Sequence, residues 1–287
     1  MPELEKNTTG GLCANMRFKT YGCRGSIVLS RNSFYGGNTS CMTLENENSM
    51  LILDGGSGLM VLDAELREKY PDYPLNLPFR PNLILSHLHL DHILGLSGFA
   101  PLWVKGSGAR IFTNSRSEDL TLEQQIFGIY QPPYWPVHMS QITAAECIEI
   151  TDTFEADGFT VTPFEAEHSD LTVCFFVTDG EKTVVHLLDY EMPETGPPPI
   201  LMEYCKNADM ILFDSAYAPD HYESKRGWGH STVRHGLKLA NDSKCKRMIF
   251  AHYGQEYSDE DIDEMKKLLP EGDERFLFAY EGMDIEV

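Results

Sequence analysis

The apolar positions of this chain follow two rhythms. From Arg17 onward, short apolar runs are broken by turn residues, as in a series of β-strands. Residues 26–30, 41–44 and 50–54 read as strands, with turns at 35–38 and 45–48. Asp54-Gly55-Gly56-Ser57-Gly58 then leads into helical spacing over residues 59–70. A short strand at 83–85, a strand at 110–113 and a helix at 118–128 follow. Gln131-Pro132-Pro133-Tyr134-Trp135-Pro136 is irregular, because its prolines forbid a ladder or a helix interior. Strands resume at 146–150, 159–164, 173–178 and 183–188. The rest alternates: helix 199–207, strand 210–213, helix 231–240, strand 247–250, helix 259–269, strand 275–278. Strands first and a βαβα series afterwards imply an α/β fold of two sheets with helices packed outside. Residues 1–15 read as a loose polar lead-in, and the ten residues 190–199 as a loop, so 1–287 reads as one domain.

Composition narrows the use of such a fold. The 287 residues are 42% hydrophobic, enough for a sizeable core. Against 23 Lys and Arg stand 44 Asp and Glu, a net charge of −21. Such a surface repels polyanions and favours a small substrate in a focused pocket. The expectation is therefore a small-molecule partner, no bulk nucleic acid and no membrane. Seven cysteines, none in a CxxC pair, read as reduced thiols of a cytoplasmic protein. The N-terminus lacks an apolar signal segment, and no run approaches the ~18 apolar residues of a membrane span.

The chemistry concentrates in His87-Leu88-His89-Leu90-Asp91-His92, directly after the apolar run Leu83-Ile84-Leu85. Imidazole and carboxylate are the ligands that borderline divalent metals prefer. Where a strand runs into a loop, positions i and i+2 point the same way, so His87 and His89 can grip one metal while Asp91 and His92 face a second. Further ligand types end other apolar runs: His168 after 159–164, Asp189 after 183–188 and His252 after 247–250. One metal is assigned His87, His89 and His168. The other is assigned Asp91, His92 and His252, with Asp189 bridging a pair roughly 3.5–4 Å apart. The cofactors expected are two divalent ions, each with an open position. A hydroxide between them is the expected nucleophile, since coordination lowers the pKa of water toward about 7.

With this ligand set the chain resembles the metallo-β-lactamase superfamily from about Arg17 to His252. The resemblance implies an αββα sandwich of two mixed β-sheets with the metal site along one sheet edge. It implies zinc as the usual metal, with manganese or iron in some members. It also implies that Asp54 orients the histidine motif from behind. Members span lactamases, thioesterases, lactonases, nucleases, phosphodiesterases and flavo-diiron proteins, so fold alone does not choose a reaction.

Trp228-Gly229-His230-Ser231-Thr232 narrows the choice. A GHST element after a strand-end aspartate is similar to the ribonuclease Z group and its cyclic phosphodiesterase relatives. Tyr21-Gly22-Cys23-Arg24-Gly25-Ser26 and Tyr35-Gly36-Gly37-Asn38-Thr39-Ser40-Cys41 also resemble that group. The resemblance makes His230 the general acid, and with Asp91 it forms the pair of catalytic candidates. Glu191 is expected to orient His230, and Lys225 and Arg226 to bind substrate phosphate. No Gly/Pro-rich basic insertion of the tRNA-grasping kind is present, which again points to a small or cyclic phosphodiester. Tyr134 and Trp135 could wall the site or, with Trp103, serve a homodimer interface, since relatives often dimerise. The alternative reaction is a lactonase or thioesterase acting on a carbonyl with the same two metals.

Overall fold

A computed structural model describes residues 16–30, 33–166, 168 and 171–287, so the lead-in expected at 1–15 lies outside the described residues. The first half of the chain contributes β1 (Arg17–Gly22), β2 (Cys41–Asn46), β3 (Ser49–Leu53), α1 (Gly58–Lys69), β4 (Pro81–Ile84), α2 (Leu90–Ile93), β5 (Arg110–Thr113), α3 (Leu122–Ile126) and β6 (Glu146–Glu149). The second half contributes β7 (Phe154–Glu155), β8 (Thr160–Glu165), β9 (Val173–Thr178), β10 (Thr183–Leu187), α4 (Pro199–Cys205), β11 (Met210–Asp214), α5 (Val233–Ser243), β12 (Met248–Ala251), α6 (Asp259–Lys266), β13 (Phe276–Phe278) and β14 (Asp284–Glu286).

Among the described residues these strands form two seven-stranded sheets, ordered β14-β1-β2-β3-β4-β5-β6 and β13-β12-β11-β10-β9-β8-β7. The two have the same plan. Each has an antiparallel part, where β1, β2 and β3 or β7 to β10 pair in turn. Each then runs parallel, through β3 to β6 or β10 to β13. Burial explains why the inner strands are mostly apolar. Along β3, Leu51 and Leu53 belong to the core shared with the second sheet, while Met50 and Ile52 pack outward with Leu59, Leu62 and Leu66 of α1. Side chains alternate between two buried faces, so both must be apolar. This is the expected αββα sandwich.

The elements differ from the sequence reading in places. Residues 26–30 are not a strand: Ser26 sits at φ +64 and Ile27 and Val28 are exposed. The strand lies just before, as β1, paired on one side with β2 and on the other with the C-terminal edge strand β14, which escaped the reading. Helix 118–128 contracts to α3, where Thr121 and Gln124 form a capping box. No helix among the described residues is long and apolar enough to cross a membrane. The six described cysteines are free thiols.

Parallel strands bring their C-terminal ends to one edge, where α/β sheets place their sites. Asp54, Asp189 and His252 stand just past β3, β10 and β12. All three occupy the left-handed region, at φ 60, 55 and 66. Each such residue costs about 1–3 kcal/mol, and such strain collects where function requires it.

Candidate metal centre

The histidine motif leaves β4 and enters α2 within a few residues, so its side chains spread over a small volume. The His87 and His89 rings lie 4.3 Å apart and edge to face. His168 Nε2 lies 3.4 Å from His89 Nδ1. His87, His89 and His168 form one trio whose ring nitrogens lie within 4.8 Å of one another. A second trio with the same spacing is Asp91, His92 and His252. Asp189 stands between the trios with one oxygen toward each. Its Oδ1 is 3.9 Å from His87 Nε2 and 3.8 Å from His168 Nε2, and its Oδ2 is 3.0 Å from His92 Nε2 and 3.3 Å from His252 Nε2. The fold thus brings together all seven residues singled out as ligands.

Electrostatics divide the cluster. Burial pushes His87 and His168 below the usual imidazole range. Burial acts the same way on His92 and His252, but facing carboxylates outweigh it. Asp189, Asp54 and Asp91 hold His92 well up, and Asp189, Asp214 and Asp91 hold His252 up at about 10. In turn Asp91 and Asp189 stay far below the usual carboxylate range, because neighbouring imidazoles outweigh their burial. Divalent ions fit this donor set. His87 Nε2 is buried and makes no hydrogen bond. An orphaned nitrogen of this kind is costly unless something occupies its lone pair. Imidazole nitrogen with carboxylate oxygen is what zinc and its neighbours take.

Supporting contacts set the ligands' orientation. Asp54 lies behind the motif: its Oδ2 is 2.9 Å from His92 Nδ1 and its Oδ1 accepts from the Ser86 amide at 2.8 Å. The strand-end segment of the first block also reaches the site. Buried Arg24 donates to the carbonyls of Gly36 and Tyr257 at 2.9 and 2.8 Å. That anchoring presses Gly25 against His252, where a Cβ would come within 2.6 Å of the ring. The next amide, of Ser26, donates to Asp91 Oδ2 at 2.6 Å.

Around His230 the structure corrects the sequence reading. His230 Nδ1 pairs with Asp214 Oδ2 at 2.9 Å, not with Glu191. Asp214 also accepts from the amides of Asp189, Ala216 and Ser231 at 3.0 Å each. Burial would raise its pKa, but His230 and His252 hold it at about 2. This residue was missed, although it ends the buried run of β11 as visibly as Asp189 follows β10. Glu191 instead accepts from the amides of Gly227 and Gly229 at 2.7 and 2.8 Å. The Gly229 carbonyl lies 2.8 Å from His168 Nδ1. Lys225 and Arg226 are not free for phosphate either. Lys225 pairs with Glu256 and lies 4.5 Å over the Tyr217 ring. Arg226 pairs with Glu194 and, at 2.8 Å, with Glu223. Of the loop aromatics, Tyr134 is exposed, Trp135 packs edge-on against Tyr130, and Trp103 packs on Phe127.

A model of the Beta-lactamase superfamily domain matches residues 58–253. A ribonuclease Z of Brevibacillus brevis is 32% identical over 255 residues, covering 71% of this chain and 77% of that protein. Among solved structures, a diphosphatase from the PhnP family superposes with a TM-score of 0.69 at 17% identity, covering 96% of this chain and 98% of the other. Human tRNase Z, short form, superposes at 0.64 and 16% identity, covering 95% and 99%. At such identities the structural matches speak for the fold. The relatives' names overturn one expectation: a net charge of −21 does not exclude nucleic acid as a partner, because the chain is similar to enzymes named for RNA. Net charge is summed over the whole surface, whereas binding responds to the local field. The match over residues 58–253, the relative at 32% identity and the two-sheet fold together show that the chain belongs to the metallo-β-lactamase superfamily of hydrolases, in its ribonuclease Z-like branch.

Proposed function

We propose that this chain is a di-metal phosphodiesterase. His87, His89 and His168 hold one divalent ion, Asp91, His92 and His252 hold the other, and Asp189 spans the pair. Zinc is the proposed metal, given the donor set. When bound, such ions act as Lewis acids toward a phosphoryl oxygen and lower the pKa of water toward about 7.

One observation carries the choice of phosphodiester over carbonyl substrates: the Asp214–His230 pair at the rim of the cluster. Asp214 is ionised at neutral pH, so it accepts and His230 Nδ1 donates. The ring's exchangeable position is then Nε2. The His230 side chain is 12% exposed, against 2% or less for His87, His92, His168 and His252, so it is open to a substrate. Departure of an alkoxide from phosphorus needs a proton, and an imidazolium backed by a carboxylate delivers one. Asp214 therefore orients the acid and balances its charge. The finer reading is a small or cyclic diester. It is supported by the ion pairs of Lys225 and Arg226, which commit these two cations beside the GHST element to carboxylates.

The test is turnover of bis(p-nitrophenyl) phosphate, 2′,3′-cyclic AMP and a tRNA precursor by zinc- or manganese-loaded protein. His230→Ala is expected to keep both metals by elemental analysis and lose ~10²–10⁴ of the rate. Departure of a metal would make His230 a ligand and sink its assigned role. Turnover of lactones or thioesters, with none of any phosphodiester, would replace the proposal with carbonyl chemistry.

A further inference from the structure

We propose that Trp228 is a stacking platform for a planar aromatic ring of the substrate, held beside the metal cluster by a carboxylate bracket. The inference rests on the phosphodiesterase reading and adds a ring-binding subsite to it. Trp228 is a large apolar side chain left 62% exposed. A lone surface apolar residue is ordinary. What singles out Trp228 is its mounting. It stands between Gly227 and Gly229, at φ +85 and +86, a region that side-chain-bearing residues avoid. The amides of both glycines donate to the single carboxylate of Glu191. The Tyr222 hydroxyl donates to the same carboxylate at 3.1 Å, and the Trp228 amide closes the turn on the Lys225 carbonyl at 3.2 Å. The indole is therefore exposed on a pinned turn.

That turn also touches the centre. The Gly229 carbonyl meets His168 Nδ1, and the next residue is His230. His168 in addition lines a cavity of about 360 Å³ with Phe164, Ala166, Tyr190, Ile200 and Leu201, so there is volume for a ligand beside it. Since Lys225 and Arg226 are engaged with carboxylates, this edge of the site offers an aromatic grip in place of an ionic one. An indole face accepts any planar ring without hydrogen-bond readout, and presenting it on a rigid turn avoids the entropy of ordering a loop.

The experiment is tryptophan fluorescence of the zinc-loaded protein, titrated with 5′-AMP and with ribose 5-phosphate. Quenching is expected from 5′-AMP alone. It is expected to vanish in Trp228→Phe and to persist in Trp103→Phe and Trp135→Phe. In kinetics, Trp228→Ala is expected to raise KM for 2′,3′-cyclic AMP by about tenfold, or about 1.4 kcal/mol, with a smaller effect on kcat. Trp228→Phe should restore most of the affinity. Selectivity for the cyclic nucleotide over glycerol 1,2-cyclic phosphate should fall by the same factor. Quenching that survives Trp228→Phe, or a KM unmoved by Trp228→Ala, overturns the platform. So does a Trp228→Ala protein that changes only from dimer to monomer, which would make the indole a contact between two copies. If no diester is turned over, the quenching still decides the platform, so the two readings fail separately.

Discussion

Asp214→Asn keeps the shape of a fully buried side chain and removes its charge. Two costs follow. The carboxyl is held at about 2 against an ordinary value of 3.8, because His230 and His252 outweigh its burial. At 1.36 kcal/mol per pH unit that displacement is worth about 2 kcal/mol. A depressed folded pKa gives stability that is present above the unfolded value and lost as pH falls through the folded one. The second cost is a mismatch. One Asn oxygen can still accept from the Ser231 and Ala216 amides, but its amino group then faces the Asp189 amide, a donor against a donor. A buried amide left unsatisfied costs about 1–3 kcal/mol. Urea unfolding of chelator-treated protein at pH 7 should therefore show a loss of about 3–5 kcal/mol. The gap from wild type should narrow by about 1 kcal/mol between pH 5 and pH 3, because the charge component fades there. In the metal-loaded protein, the Asn amide donates to His230 Nδ1 and shifts the ring proton to Nε2. No carboxylate then balances an imidazolium, and kcat should fall by ~10²–10⁴. A folded, metal-loaded variant with turnover within about threefold of wild type would refute the role given to this pair. A stability gap that ignores pH would refute the electrostatic part.

Two other perturbations test different parts of the centre. Gly229→Ala puts a Cβ 2.0 Å from His168 Nδ1 at φ +86, so it should displace that ligand. Competition with a chromophoric chelator should show metal affinity down about 10–100-fold, and unchanged affinity would count against His168 as a ligand. Metal uptake should also release protons. His252, held near 10 without metal, is protonated at pH 7 and must lose that proton to bind. Its raised pKa stabilises the metal-free protein below about pH 6.5, and that contribution is lost as pH rises through about 10. Zinc titration calorimetry at pH 7 in buffers of different ionisation enthalpy should therefore give different apparent heats. Identical heats would rule out the proton–metal exchange.

Legibility in the sequence tracked how local each contact is. His87, His89, Asp91 and His92 were readable because ligand types, spacing and the preceding apolar run lie within one short stretch. His168, Asp189 and His252 were readable only as ligand types at strand ends. Glu191 was matched with His230 in the sequence, but His230 Nδ1 pairs with Asp214 while the Glu191 carboxylate is taken up by the Gly227 and Gly229 amides. Lys225 and Arg226 were visible as cations, but Glu256 and Glu194, which engage them, lie far along the chain. The run 26–30 read as a strand, yet Ser26 turns left-handed to put its amide on Asp91.

The sequence by itself determined the kind of site and the kind of fold. Periodicity selects strands and helices, and side-chain chemistry selects metal ligands, because both depend on residue type and short-range spacing. Tertiary structure alone decided which carboxylate backs His230 and which carboxylates engage Lys225 and Arg226. It also turned Trp228 outward on a pinned turn. Those outcomes depend on strand order across two sheets, which brings β4, β10, β11 and β12 to one edge from distant parts of the chain. The six-residue motif is local chemistry, and the centre built around it is a property of the two sheets.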